Sequence, residues 1–387
     1  MNEAILAVAG AGKTHDICKE ASGIYTSKKI LITTFTNNGV NSIVDEYKRH
    51  NSGIMSENVV IKTWFGFMLY DLIKPYQRSL TNKEYAVKGY NFLEHLPNYI
   101  YKLKRNNPNY YLDGNGNAYY QNASELALKC NEISKGAVIK RLEEIYSHIF
   151  IDEIQDVAGY DFSWVQMFCG SKIKIVMVGD YKQTIFSTNN KNINKHKTGV
   201  NLITGFTELE KSGVLKIKRN NKTRRFNNDI AVFANRLFEQ REYDIESDIL
   251  PKANDGVFIL TDADYQDYVN AMGHTVFLRY DKKDSRLNSL SPLESYNFGD
   301  CKGMTFERVA ISTTTKTLKD YILQNKKLAD KTKAKYYIAL TRARKSVTII
   351  MDKLPSMVDF IQVEMNCNGK MIRLLKFNPC TDIKSHE

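Results

Sequence analysis

Ala7-Val8-Ala9-Gly10-Ala11-Gly12-Lys13-Thr14 is the stretch that decides the fold of this 387-residue chain. It follows a short apolar run, Ala4-Ile5-Leu6, and precedes a helical pattern, the strand–loop–helix setting of a phosphate-binding loop (P-loop). Glycines let the backbone fold tightly around an anion, and the N–H groups opening a helix point at it. Ala9, Gly10, Ala11 and Gly12 would line the phosphates, Lys13 would reach the β and γ phosphates, and the Thr14 hydroxyl would ligate Mg²⁺. The expected cofactors are therefore ATP and Mg²⁺. The rival reading, an incidental Gly/Ala-rich turn, weakens as the rest of the chain is read.

Length favours two domains over one core. With 43% hydrophobic and 25% charged residues, the composition is that of a soluble globular protein. No apolar run reaches the roughly 18–20 residues of a membrane span, and no basic segment precedes the first apolar one, so no membrane partner is expected. Cys18, Cys130, Cys169, Cys301, Cys367 and Cys380 are scattered without a CxxC pair, which favours reduced thiols and a cytoplasmic setting. A formal net charge of +12 suits a polyanionic partner.

The first half alternates strands with helices. Ala4–Val8, Ile30–Thr34, Val59–Thr63, His148–Asp152 and Lys174–Val178 read as strands, with helical patterns after Thr14, Asn38 and Tyr160. Such alternation implies an α/β fold with a parallel sheet, whose ligands sit at the carboxyl ends of the strands. From about residue 70 to 146 the alternation breaks into a Tyr-, Asn- and Lys-rich insertion, in which Tyr110–Tyr120 reads as a hairpin around a Gly/Asn turn. A second series starts near Gly213, with strands over Val214–Lys218, Val257–Thr261, Thr275–Tyr280, Val309–Thr313 and Val347–Met351. The stretch from about Asn366 carries no clear pattern.

Ile149-Phe150-Ile151-Asp152-Glu153 is a β-run ending in two acids. Asp152 would hold the metal, directly or through water, and Glu153 would orient and deprotonate the attacking water. The strand Ile173–Val178 runs into Gly179-Asp180-Tyr181-Lys182-Gln183, where Gln183 can touch a γ phosphate and report its presence.

AVAGAGKT (Ala7–Thr14), TFTN (Thr34–Asn37), IDEIQD (Ile151–Asp156), VGDYKQTIF (Val178–Phe186) and IALTRAR (Ile338–Arg344) stand in the order seen in superfamily 1 helicases. The chain resembles the UvrD/Rep-like branch, ATP-driven translocases on single-stranded DNA. The resemblance implies two RecA-like P-loop domains: 1–210 with the insertion, 211–365 with an arginine finger, and a tail over 366–387. It implies ATP hydrolysis in the cleft between the domains, 3′→5′ movement, and single-stranded or partly single-stranded DNA as partner. Arg342 matches the family's arginine finger, and Arg225 the second γ-phosphate arginine. Gly303 lies in the fifth motif, and Arg224 stands where relatives carry an adenine-stacking Tyr. On the DNA track, Phe35, Thr36 and Asn37 match one motif, Thr63 and Trp64 the next, where Trp64 and Phe65 read equally as core rings, and Phe186 a family stacking position.

There are departures too. Only six residues precede Ala7, so no adenine-reading Gln is expected, and Thr305 replaces a Glu in the fifth motif. Between Phe238 and Tyr280 there is no room for a large accessory insertion. Strand separation is therefore less firmly implied than hydrolysis. An ATP-gated nucleic-acid sensor working with a partner nuclease, as in phage defence, is the alternative, and an RNA motor is another.

Overall fold

Apolar β-branched runs form strands, and the stretches between them form helices, in two units: residues 1–6 with 13–219, and residues 7–12 with 220–387. The computed structural model describes residues 1–79, 86–93, 95–185, 187–189 and 191–379. Phe186 lies outside the described residues.

In the first unit β1 (Asn2–Ala7) leads to α1 (Lys13–Ser22), β2 (Lys29–Thr34) to α2 (Asn37–His50), and β3 (Val59–Thr63) to the single turn α3 (Trp64–Phe67). Ile30, Leu31 and Ile32 of β2 are all fully buried. A run apolar on both faces is what a parallel strand covered by helices requires. The chain then departs through β4 (Tyr90–Asn91), β5 (Ala118–Tyr119), α4 (Tyr120–Ile133) and α5 (Ala137–Ile145). It returns through β6 (Tyr146–Ile151), α6 (Tyr160–Cys169), β7 (Lys174–Gly179), α7 (Leu202–Lys211) and β8 (Leu215–Asn220). The sheet order is β3-β2-β6-β7-β1-β8, and the pairs from β3 through β1 are parallel. This order sets the carboxyl ends of β6, β7 and β1 side by side, with those of β2 and β3 next along the same rim. Ile17, Ile32, Ile43, Phe150 and Val176 fill one face beneath it.

Three expectations change. The Tyr110–Tyr120 hairpin is cut to one antiparallel bridge, Leu112 with Ala118, closed by Tyr119 N–H on Tyr111 O and Asp113 N–H on Asn117 O (both 2.9 Å), and β5 also pairs parallel with β4. Asp113 is the reason. One of its oxygens closes the turn on the N–H groups of Asn115 (2.9 Å) and Asn117 (2.8 Å), and the other takes the Asn91 amide (2.8 Å). Val214–Lys218, expected in the second series, is β8 at the edge of the first sheet, so the changeover falls at 219/220 and not at 210/211. Lys218 there pairs with Glu3 of β1 at 2.5 Å.

The second unit runs α8 (Asn228–Asn235), β9 (Gly256–Thr261), α9 (Tyr265–Met272), β10 (Val276–Arg279), α10 (Arg286–Leu290) and β11 (Ser295–Asn297). It continues with β12 (Phe306–Ser312), α11 (Lys316–Gln324), α12 (Asp330–Leu340) and β13 (Ala343–Met351). The expected tail is the third correction. β14 (Phe360–Cys367) and β15 (Lys370–Phe377) form a hairpin, and β15 lies antiparallel on β9. Asn368 and Gly369, at φ 55° and 93°, supply the left-handed turn a two-residue hairpin loop needs. The sheet order is β11-β10-β12-β13-β9-β15-β14, with β11 through β9 parallel. Phe258, Leu260, Tyr268, Phe277 and Leu374 pack in its core.

Candidate functional site

In the first unit α1 begins at Lys13, and the Thr14 hydroxyl donates to Asp152 Oδ2 at 2.9 Å, joining positions 138 residues apart. The Asp152 N–H donates to Thr33 O at 2.8 Å, which ties the end of β6 to β2. Asp152 is 5% exposed. Burial first, then the charge of Glu153, raises its carboxyl above the ordinary value, against the pull of the Thr14 hydroxyl and Lys13. A hydroxyl and a carboxylate oxygen in contact, on an acid that burial discourages from ionising, fit a hard divalent cation such as Mg²⁺.

Glu153 follows with φ 57° and ψ 38°, a left-handed backbone that a glutamate enters at a cost. Its carboxylate accepts from Gln155 Nε2. Gln155 Oε1 in turn accepts from the Asp180 N–H at 3.0 Å, and Asp180 Oδ2 accepts from Gln183 Nε2 at 2.8 Å. A polar chain therefore runs Glu153–Gln155–Asp180–Gln183 across the ends of β6 and β7. Gln155 is fully buried, and a Cβ on Gly179 would lie 2.3 Å from its Oε1, so β7 must end in glycine for the chain to close. Gln155 and Asp180 sit inside the quoted motifs but drew no role from the sequence. Their only signal was their place between Glu153 and Gln183.

In the second unit, residues 7–12 hold Gly10 and Gly12 at φ 75° and 90°. A Cβ on Gly10 would meet Thr223 Oγ1 at 2.4 Å. The Arg224 N–H donates to Gly10 O (2.9 Å), the Ala9 N–H to Tyr337 Oη (3.4 Å), and Ala11 is fully buried. The Arg224 side chain is exposed, while Arg225 is half-buried and gives Nη1 to Thr341 O at 3.0 Å. Arg342, 2% exposed, donates Nε to Ile338 O (3.0 Å) and Nη1 to Met304 O (3.2 Å). Arg225 and Arg342 thus reach one segment, Thr341–Arg342. Arg342 also fastens the turn after Gly303 to the end of α12, a structural task the sequence did not signal. Gly303 is exposed at φ 87°.

The aromatic candidates divide. Phe35 is half-buried, with its ring 5.9 Å from that of Trp64. Thr36 caps α2 by accepting from the Gly39 N–H at 3.0 Å, Thr63 caps α3 through the Gly66 N–H at 3.0 Å, and Asn37 is exposed. Of the two readings of Trp64, stacking ring or core ring, the structure shows the core position. Trp64 is 1% exposed, packs edge-on against Phe67 and Phe168, and gives its indole N–H to Asp161 Oδ1 at 2.9 Å. Asp161 also accepts from Ser124 of α4, so the ring joins the insertion to the core. Phe65 packs on Tyr90, Phe92 and Tyr120. No helix among the described residues is long and apolar enough to cross a membrane.

Residues 69–201 match the family model of the UvrD/REP helicase N-terminal domain. Over 65 residues the chain is 31% identical to DNA helicase II of Salmonella typhimurium and 29% identical to that of Escherichia coli. Each match covers 16% of this chain, and the chain spans only 9% of each relative's length. Among solved structures, Arterivirus nonstructural protein 10 (helicase) superposes with a TM-score of 0.46 at 11% identity, covering 90% of this chain and 59% of that one. The same helicase in complex with DNA gives 0.47, also at 11% identity, covering 90% and 61%.

Proposed function

We propose that this chain, a UvrD-like superfamily 1 helicase by family, is an ATPase driven by single-stranded nucleic acid, with DNA as the expected strand. The observation that carries the reading is the 2.9 Å bond between the Thr14 hydroxyl and Asp152, with Lys13 beside it and Glu153 next in the chain. In that reading Lys13 holds the β and γ phosphates, while Thr14 and Asp152 carry Mg²⁺, which supplies charge neutralisation on the phosphates when bound. Glu153 takes the proton of the attacking water, and Gln155 holds the Glu153 carboxylate toward its work. Gln183 reports the γ phosphate through Asp180, and Arg225 and Arg342 are the proposed phosphate arginines. Phe35 and Asn37 supply the strand contact on the rim after β2.

The test is ATP turnover measured alone, with single-stranded DNA, and with single-stranded RNA of the same sequence. Stimulation by DNA above RNA supports the reading, and a rate indifferent to both contradicts it. Directional displacement of streptavidin from end-labelled strands then separates 3′→5′ movement from ATP-gated binding.

A further inference from the structure

Outside the phosphate site, α1 and α2 bring three ligand-bearing side chains to one point. His15 Nδ1 and Glu46 Oε1 are 2.9 Å apart, His50 Nε2 and Glu46 Oε1 are 3.2 Å apart, and the two ring nitrogens are 3.2 Å apart. His15 lies in the first turn of α1. Glu46 and His50 lie four residues apart on α2, hence on one face. Arg49 occupies the other Glu46 oxygen, leaving Oε1 to the histidines.

Protons alone do not satisfy this triangle. An imidazole nitrogen either donates or accepts, never both. If both nitrogens carry hydrogen, the ring–ring edge sets donor against donor. If only one does, the other nitrogen turns a lone pair toward the carboxylate oxygen. A cation at the centre makes all three edges attractive at once. Bonds of about 2.0–2.2 Å to zinc place ligand atoms roughly 2.9–3.5 Å apart, depending on whether the geometry is octahedral or tetrahedral. The observed edges of 2.9, 3.2 and 3.2 Å lie inside that span.

We propose that His15, Glu46 and His50 form a binding site for a divalent transition ion of the zinc class, stapling α1 to α2. Two imidazoles and one carboxylate suit Zn²⁺ or Co²⁺ and suit Mg²⁺ poorly, since Mg²⁺ favours all-oxygen shells. His15 is 43% exposed on its side chain, which leaves a path to solvent and room for water as a further ligand. Tied to α1 directly after Lys13 and Thr14, and to the helix that Thr36 caps, the ion would brace the phosphate loop's helix against the helix of the strand contact.

The full chain, stripped with EDTA, is titrated with Zn²⁺ in a calorimeter and with Co²⁺ followed by its visible absorption, and thermal unfolding is recorded with and without Zn²⁺. Wild type should take up one equivalent of each ion and unfold at a higher temperature with Zn²⁺. His50→Ala and the near-isosteric Glu46→Gln should bind at least tenfold more weakly and lose the thermal gain. Asp152→Asn should keep the Zn²⁺ response, separating this site from the Thr14–Asp152 pair. Should His50→Ala fail to fold, Glu46→Gln alone decides. Absence of stoichiometric binding to wild type, or undiminished binding by Glu46→Gln, overturns the proposal.

Discussion

At the ends of β6 and β7, polar side chains fasten to one another: Thr14 to Asp152, Gln155 to Glu153, Gln183 to Asp180. At the ends of β2 and β3 the same rim is built differently. Thr36 and Thr63 use their hydroxyls to cap helices, and Trp64 turns inward to Asp161. Motif order places both sets on one sheet rim, yet only in the first do the motif side chains bond to one another. The difference follows from desolvation. A buried polar group without a partner costs about 1–3 kcal/mol, so acids and amides at a strand end find each other. A large ring gains by leaving water, and Trp64 goes into the core.

Trp64→Ala attacks the comparison where the expected effect is largest. As a buried ring that holds the insertion through Asp161, it should cost about 3–5 kcal/mol of unfolding free energy, read by chemical denaturation. A loss confined to strand affinity, with stability intact, would return Trp64 to the nucleic-acid track.

Gln155→Ala sharpens the polar side. It removes the link between Glu153 and Asp180 without touching Thr14 or Lys13. Turnover should fall by roughly tenfold or more while nucleotide affinity, measured with a fluorescent ATP analogue, stays near wild type, because a general base out of position loses part of its 10²–10⁴-fold contribution. An equal loss in both quantities would assign Gln155 to folding and not to positioning.

Phe35→Ala belongs to the aromatic side. Strand affinity by fluorescence anisotropy should weaken by about 1–3 kcal/mol, the worth of one stacked base, with ATP affinity unchanged. No change would leave the rim after β2 without a stacking ring among the described residues.

A smaller effect concerns acidity in the metal-free protein. Burial and Glu153 raise the Asp152 carboxyl in the folded state. The stability tied to its proton is therefore complete at low pH and is lost as pH rises through the folded-state value. Asp152→Asn should raise the unfolding midpoint in EDTA at neutral pH, with the gain shrinking in acid. A gain that is flat with pH would mean the acid is not the source of the cost.

The sequence made the strand ends legible because a glycine loop, an acid pair and a strand–Gln each have local chemistry that survives any packing. It misread three places where the deciding contact is distant. Tyr110–Tyr120 has a hairpin's turn, but Asp113 binds Asn91, twenty-two residues away, and draws β5 to β4. Val214–Lys218 reads as an ordinary strand, and nothing local says which sheet takes it. Asn368-Gly369 between two alternating runs has a hairpin's turn chemistry, and what the local sequence lacks is the sheet edge, β9, that receives it. His15, Glu46 and His50 were invisible as a group, since α1 and α2 must pack before they meet.

The most direct measurement is ATP turnover with saturating single-stranded DNA, compared between wild type and Glu153→Gln, with nucleotide affinity measured on the same samples. The predicted result is a DNA-stimulated wild type and a variant that still binds ATP but turns over at least 10²-fold more slowly. A Glu153→Gln protein that hydrolyses ATP at the wild-type rate would contradict the account.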